Sequence, residues 1–192
     1  GVYVDNVDSS FGVGTATAAA INNVAITATT TGVLVNRALA TASISGGSIT
    51  GGVNGVVFSN TAGGSVSGVN FNAGTDNTGA DLSIGSGSVV TIGAGNSFGA
   101  DGQYIVNYST ANYNLVGNGT TFDNITGGNA GALNPNVAGD LAQLFALEDK
   151  ITHATDNGAY GFIRVNSGNV FVTTNSGSIQ RGVNAAGTSD TV

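Results

Sequence analysis

The 192 residues include 32 glycines, one proline and no cysteine; 41% are hydrophobic, only 8% are charged, and the formal net charge is −7. That balance excludes a disordered polyelectrolyte, which combines low hydrophobicity with high charge, and a disulfide-stapled or thiolate-metal domain. The four scattered basic residues, Arg37, Lys150, Arg164 and Arg181, exclude the cationic footprint that nucleic acid requires, and no apolar run reaches the ~20 residues of a membrane-spanning helix.

Length fits one domain or one long module. Val, Ile and Thr fit a pleated surface, while Gly and Asn accept the positive φ of tight turns. The chain opens on Gly1-Val2-Tyr3-Val4-Asp5, apolar at alternate positions and read as a strand. A spaced rhythm follows. Ser43-Ile44-Ser45-Gly46 is echoed 22 positions on by Ser65-Val66-Ser67-Gly68, and Ile49-Thr50-Gly51-Gly52 by Phe71-Asn72-Ala73-Gly74. Ile92-Gly93-Ala94-Gly95 extends the series at 21, and Leu115-Val116-Gly117 at 23.

Self-similarity at this period is the mark of a solenoid, each coil supplying short strands that pair in parallel with the next coil ~4.8 Å away. The expected fold is therefore all-β: a parallel β-helix of roughly 22 residues per coil over 1–126. A β-sandwich also uses many short strands, but the echoes fall on particular residues and favour the solenoid. Val33, Val35, Ile44, Ile49, Val57, Val66, Val69, Phe71, Ile84, Val90 and Ile92 are the expected interior, and Asn54, Asn60 and Asn70 are expected to stack in ladders.

A Gly/Asn-rich loop occupies 127–137 and holds the lone Pro135. A connector follows over 138–175. Leu141, Leu144, Phe145, Leu147 and Ile151 predict an amphipathic helix near 140–153, with Asp140 at its start and Lys150 and His153 in its last turn. Residues 161–166 and 168–173 alternate as strands about Ser167-Gly168, as a hairpin or as two successive rungs.

The final segment, 176–192, predicts a short helix near 178–186 with Ile179, Val183 and Ala186 on one stripe. Ser176 or Ser178 is its N-cap, Gly187 its terminator, and Thr191-Val192 starts a strand. Placed tail to head, the Ile179-Gln180, Ala185-Ala186, Asp190-Thr191-Val192, Gly1 and Tyr3 pattern resembles the opening of pectin-lyase-like right-handed parallel β-helices. There an amphipathic helix covers the first coil. Ser189 stands where that pattern has Gly, and Arg181-Gly182 interrupts a helix that usually carries Ala. Composition and the 144–173 block are similar to large secreted bacterial surface and adhesin-type repeat proteins. The resemblance implies an extracellular or cell-surface structural module, joined head to tail to copies of itself as tandem repeats or separate subunits. The assembly surface would be Gly1, Val2, Tyr3, Val4, Ile179, Val183, Ala186, Thr191 and Val192, because contacts of this kind do not close and so make filaments.

The same fold resemblance also raises a polysaccharide-binding or polysaccharide-degrading alternative. A lyase needs clustered carboxylates for Ca²⁺ and a Lys or Arg base, and a hydrolase needs two or three nearby carboxylates. The coils offer Asp5, Asp8, Asp76, Asp81, Asp101 and Asp123, with Asp76 and Asp81 the nearest pair and Arg37 the one base. A polar loop that solvates a corner is the simpler reading of that pair. A single His without HExxH spacing gives no metal motif, and the GGxGxDxUx calcium repeat is absent. Tyr104, Tyr108 and Tyr113 could stack on a sugar, or lie partly buried in a loop. Three N-glycosylation sequons, at Asn107, Asn118 and Asn124, are expected by chance in so Asn/Thr-rich a chain. The TxT run at 27–31 does not recur on successive coils, as an ice-binding array would require. The expectation is a non-enzymatic module with no cofactor and no metal.

Overall fold

A computed structural model describes residues 1–5, 16–175 and 177–192; Asp8 and Ser176 lie outside them. Sixteen short strands are defined among the described residues, and every pairing is parallel. The result is a β-solenoid of about five turns, with coils of about 23 residues and two short helices.

The longest sheet stacks β1 (Val2–Asp5), β4 (Thr31–Asn36), β7 (Asn54–Ser59), β9 (Ala80–Ile84), β12 (Gln103–Asn107) and β15 (Ile151–Thr152), in that spatial order. A second stacks β2 (Thr17–Asn22), β5 (Ala40–Ser45), β8 (Gly63–Ser67) and β10 (Val89–Ile92). Three two-stranded sheets complete the coils: β3 (Ala25–Thr27) with β6 (Ser48–Thr50), β11 (Ser97–Phe98) with β14 (Thr121–Phe122), and β13 (Tyr113–Asn114) with β16 (Ile163–Arg164).

In register, one alternate set of side chains always points inward. Val2, Val33, Val56, Leu82, Ile105 and Ile151 form one interior column, and Ile21, Ile44, Val66 and Ile92 another. A third column is aromatic. Phe98 stacks on Phe71 (5.4 Å between centroids, 9° between planes) and on Phe122 (5.6 Å, 18°). Polar members of the outward set bond between coils: Ser65 Oγ donates to Ser43 Oγ, and Ser45 Oγ to Asn22 Oδ1.

Most of the expected interior is buried, but Val57 is not. It shares the outward column of Leu34 and Ser83, and its neighbours Val56 and Phe58 point inward instead. The echo from Phe71 to Ile92 also fails: Ile92 pairs with Val66, and Phe71 stacks on Phe98. The corner from Phe71 to Ala80 carries more residues than that from Ile49 to Asn54, so the repeat lengthens there. Of the three expected ladder asparagines, only Asn60 bonds an asparagine of another coil, donating from Nδ2 to Asn36 Oδ1. Asn54 and Asn70 accept from the backbone N–H groups of Ala80 and Asn72. Asn77 and Asn96 are buried corner amides that each accept from one main-chain N–H; Asn77 donates to the Ile49 carbonyl and Asn96 to those of Val66 and Gly93.

Helix α1 (Ala138–Glu148) stops short of the predicted 153, because Ile151 is taken by the sheet beside Ile105. Lys150 and His153 therefore do not sit in its last turn. Lys150 Nζ donates to the Ala100 carbonyl and lies 4.6 Å from the centre of the Tyr104 ring. His153 is fully buried. Its Nδ1 accepts from Ile163 N–H, which leaves the proton on Nε2 to donate to Glu148 Oε1 at 2.8 Å. Thr155 Oγ1 donates to the same oxygen. Residues 161–173 form no hairpin: Ile163–Arg164 pairs in parallel with Tyr113–Asn114, and Asn169 with Thr191.

Candidate functional site: the open ends of the solenoid

At one end lies β1, first in its sheet and paired only with β4 among the described residues. Val4 is buried in the core and Val2 packs against it. Tyr3 faces the other way and is 59% exposed. Its hydroxyl donates to Asp5 Oδ2 and accepts from Asn36 Nδ2, while Arg37 Nε sits 3.4 Å from Asp5 Oδ1. Gly1 lies so close to the carbonyl oxygens of Thr31 and Gly32 that a Cβ there would collide. Among the described residues, nothing pairs with the strand edge facing away from β4.

At the other end the predicted terminal helix is present as α2 (Ile179–Ala185), with the Ser178 hydroxyl accepting from Arg181 N–H as its N-cap. Seven residues have no stability as an isolated helix, so contacts hold this one. Arg181 Nε donates to the Thr155 carbonyl at 2.6 Å. Gly182 is buried, and a Cβ built on it would meet Val172 and Val192. These two contacts give Arg181 and Gly182 their places in the helix: one reaches the Thr155 carbonyl and the other lets the helix approach Val172. The helix ends at an extended Ala186, and Asp190 Oδ2 then takes the Gly187 N–H at 2.6 Å. Arg164 grips Asp190 with both terminal nitrogens, at 3.2 and 2.5 Å. That two-pronged bond holds the Asp190 carboxyl below its ordinary range.

Thr191 then begins a new rung. Its N–H donates to the Gly168 carbonyl and its carbonyl accepts from Val170 N–H, a parallel bridge to Asn169, 22 positions back. The helix's apolar stripe does not turn toward the coils. Ile179 is 75% exposed and Val183 53%, Ala186 is half-buried, and Val192 is 49% exposed. The nine residues expected to form one surface thus divide into two sets. Gly1–Val4 lie at the first strand of the longest sheet, and Ile179, Val183, Ala186, Thr191 and Val192 lie beyond its last. The structure does not bring the sets together within one molecule. Sequence reasoning missed Arg164, Val172 and Gly182, because their partners stand well away in sequence and no spacing marks them.

Of the coil carboxylates among the described residues, Asp76 feels the charges of Asp101 and Asp123, and Asp81 feels that of Asp76. Asp81 is buried: Asn77 Nδ2 donates to its Oδ1, and the N–H groups of Gly99 and Ala100 donate to its Oδ2. Burial outweighs those bonds and pushes its pKa up to about 6. Asp76 is raised mainly by burial and then by the charges of Asp101 and Asp123, with Lys150 opposing. The Tyr104 hydroxyl donates to Asp123, and burial together with that bond raises the phenol. Tyr104 is a fully buried strand residue, whereas Tyr108 is exposed and Tyr113 half-buried. Among the described residues no three His, Asp or Glu side chains are grouped to hold a metal ion, and no helix is long and apolar enough to cross a membrane.

Comparison with known protein families, with curated proteins and with solved structures finds no match. The functional reading therefore rests on the geometry of the two ends.

Proposed function

We propose that this chain is a structural module of an extracellular filament or giant cell-surface adhesin, assembled head to tail through its terminal cap and strand. The observation that carries this reading is the orientation of α2. Its glycine face is packed on the coil below, while Ile179 and Val183 face solvent. A short helix gains its stability from burying an apolar face, and here that face remains for a neighbour. The other end offers complementary chemistry, since β1 has a main-chain edge next to exposed Tyr3 that no described residue pairs. Solenoids add the energies of adjoining repeats, and open ends propagate stacking.

The neighbour is either the following module of one long chain or a separate subunit. Two copies joined through a Val192–Gly1 peptide bond test the reading. Head-to-tail stacking predicts a single thermal transition above that of one copy, whereas two independent transitions at the single-copy temperature would refute it. Incubating the single copy with acidic polysaccharide and Ca²⁺ tests the catalytic alternative, for which turnover is the decisive result.

A further inference from the structure

We infer that Val170–Val172 is the unfinished end of a strand pairing, and that its partner is β1 of a second copy, added in parallel to continue the rung that Thr191 begins. This rests on the head-to-tail reading and specifies its contact.

The hydrogen-bond ladder is half built. Thr191 uses Gly168 C=O and Val170 N–H. In a parallel ladder the next residues of the same strand take the next carbonyl and the next amide along, which are Val170 C=O and Val172 N–H. Neither group has a main-chain partner among the described residues. A bare pair of this kind, next to a bridge already in register, is an unfinished edge. Beside it runs a groove of about 610 Å³ lined by Leu141, Phe145, Phe171, Val172, Ile179 and Val192. Its walls are mainly apolar, with Asn136, Asn169 and Thr191 also lining them, and suit a strand that is apolar at alternate positions.

Within this chain β1 meets that description. It is short, parallel in its pairing with β4, apolar at Val2 and Val4, and unpaired on its other side among the described residues. The intermolecular rung would therefore join the last extended segment of one copy to the longest sheet of the next. Strand addition of this kind draws affinity from main-chain bonds and specificity from side chains seated in pockets.

Hydrogen exchange on the two-copy fusion tests this, because its second copy is an internal control. The expected result is at least tenfold slower exchange of Val172 and its neighbours in the first copy, with the same peptide of the second copy exchanging as in a single chain. Equal exchange in both copies, in a fusion that still melts in one raised transition, would overturn the strand contact while leaving head-to-tail stacking intact. Equal exchange with two independent transitions would overturn both. A second readout pairs Val172→Cys in the first copy with Val2→Cys or Tyr3→Cys in the second. One of the two is expected to form a disulfide under mild oxidation, and failure of both would also overturn the contact.

Discussion

Replacing Ile179 and Val183 together by serine separates packing within a module from packing between modules. Fully burying a side chain of this size is worth about 1.5–3 kcal/mol. With 75% and 53% of these two still exposed, docking a neighbour over both recovers about 3 kcal/mol in total, or roughly 100-fold in association constant. Serine has nearly the helix propensity of isoleucine and valine, so the single module loses at most about 0.5 kcal/mol by the same propensity scale. The assay is the melting temperature of the two-copy fusion compared with that of the single copy, each with and without the paired substitution in its first copy. The fusion is expected to fall toward the single-copy value while the single copy barely moves. The reasoning is refuted if the single copy itself loses more than ~1 kcal/mol, an amount beyond what exposed sites usually give, because the stripe would then be packed at home. It is equally refuted if the fusion keeps its elevated transition.

Three further predictions follow from the interior. Phe98→Ala removes the middle ring of the Phe71–Phe98–Phe122 stack and is expected to cost about 3–5 kcal/mol in urea unfolding; Val57→Ala, on the outward face, serves as the mild control and is expected to cost less than half as much. For Asp81 the folded pKa of about 6 lies above the ordinary carboxyl value of 3.8, so the folded state binds more protons in that window. The stability this group contributes is fully present below about 4 and is lost as pH rises through 6. Asp81→Asn is expected to flatten that segment of the stability–pH curve, and an unchanged slope would place the titration elsewhere. Glu148→Ala leaves the His153 Nε2–H and the Thr155 hydroxyl without their shared acceptor in a buried site. A loss of about 2–4 kcal/mol by thermal or urea unfolding is expected.

How much was legible follows from how local each signal is. The coil period could be read because Ser43-Ile44-Ser45 and Ser65-Val66-Ser67 stack directly, so equivalent positions see equivalent surroundings. Misreadings arose where the chain changed the length of a corner, as between Phe71 and Ala80, or where a strand of two residues replaced the end of a helix, as at Ile151–Thr152. Val57 was assigned to the interior because apolar side chains also occupy the outward face beside Leu34, and hydrophobicity alone does not tell the two faces apart. His153 looked like a helix-end cation, but burial and two hydrogen bonds give it a different task.

The sequence alone determined the kind of object. Alternating branched residues, abundant Gly and Asn and a period in the low twenties specify stacked parallel rungs, because each rule acts over a few residues and one neighbouring coil. It also marked the terminal helix and the strand start after it. Only the tertiary structure decided which side of that helix is spoken for. The glycine that lets α2 settle on Val172, and the Arg164–Asp190 clasp that aims Thr191 at Asn169, join residues whose proximity no local pattern encodes. Long-range contacts of that sort fix direction, and direction is what leaves Ile179 and Val183 facing outward.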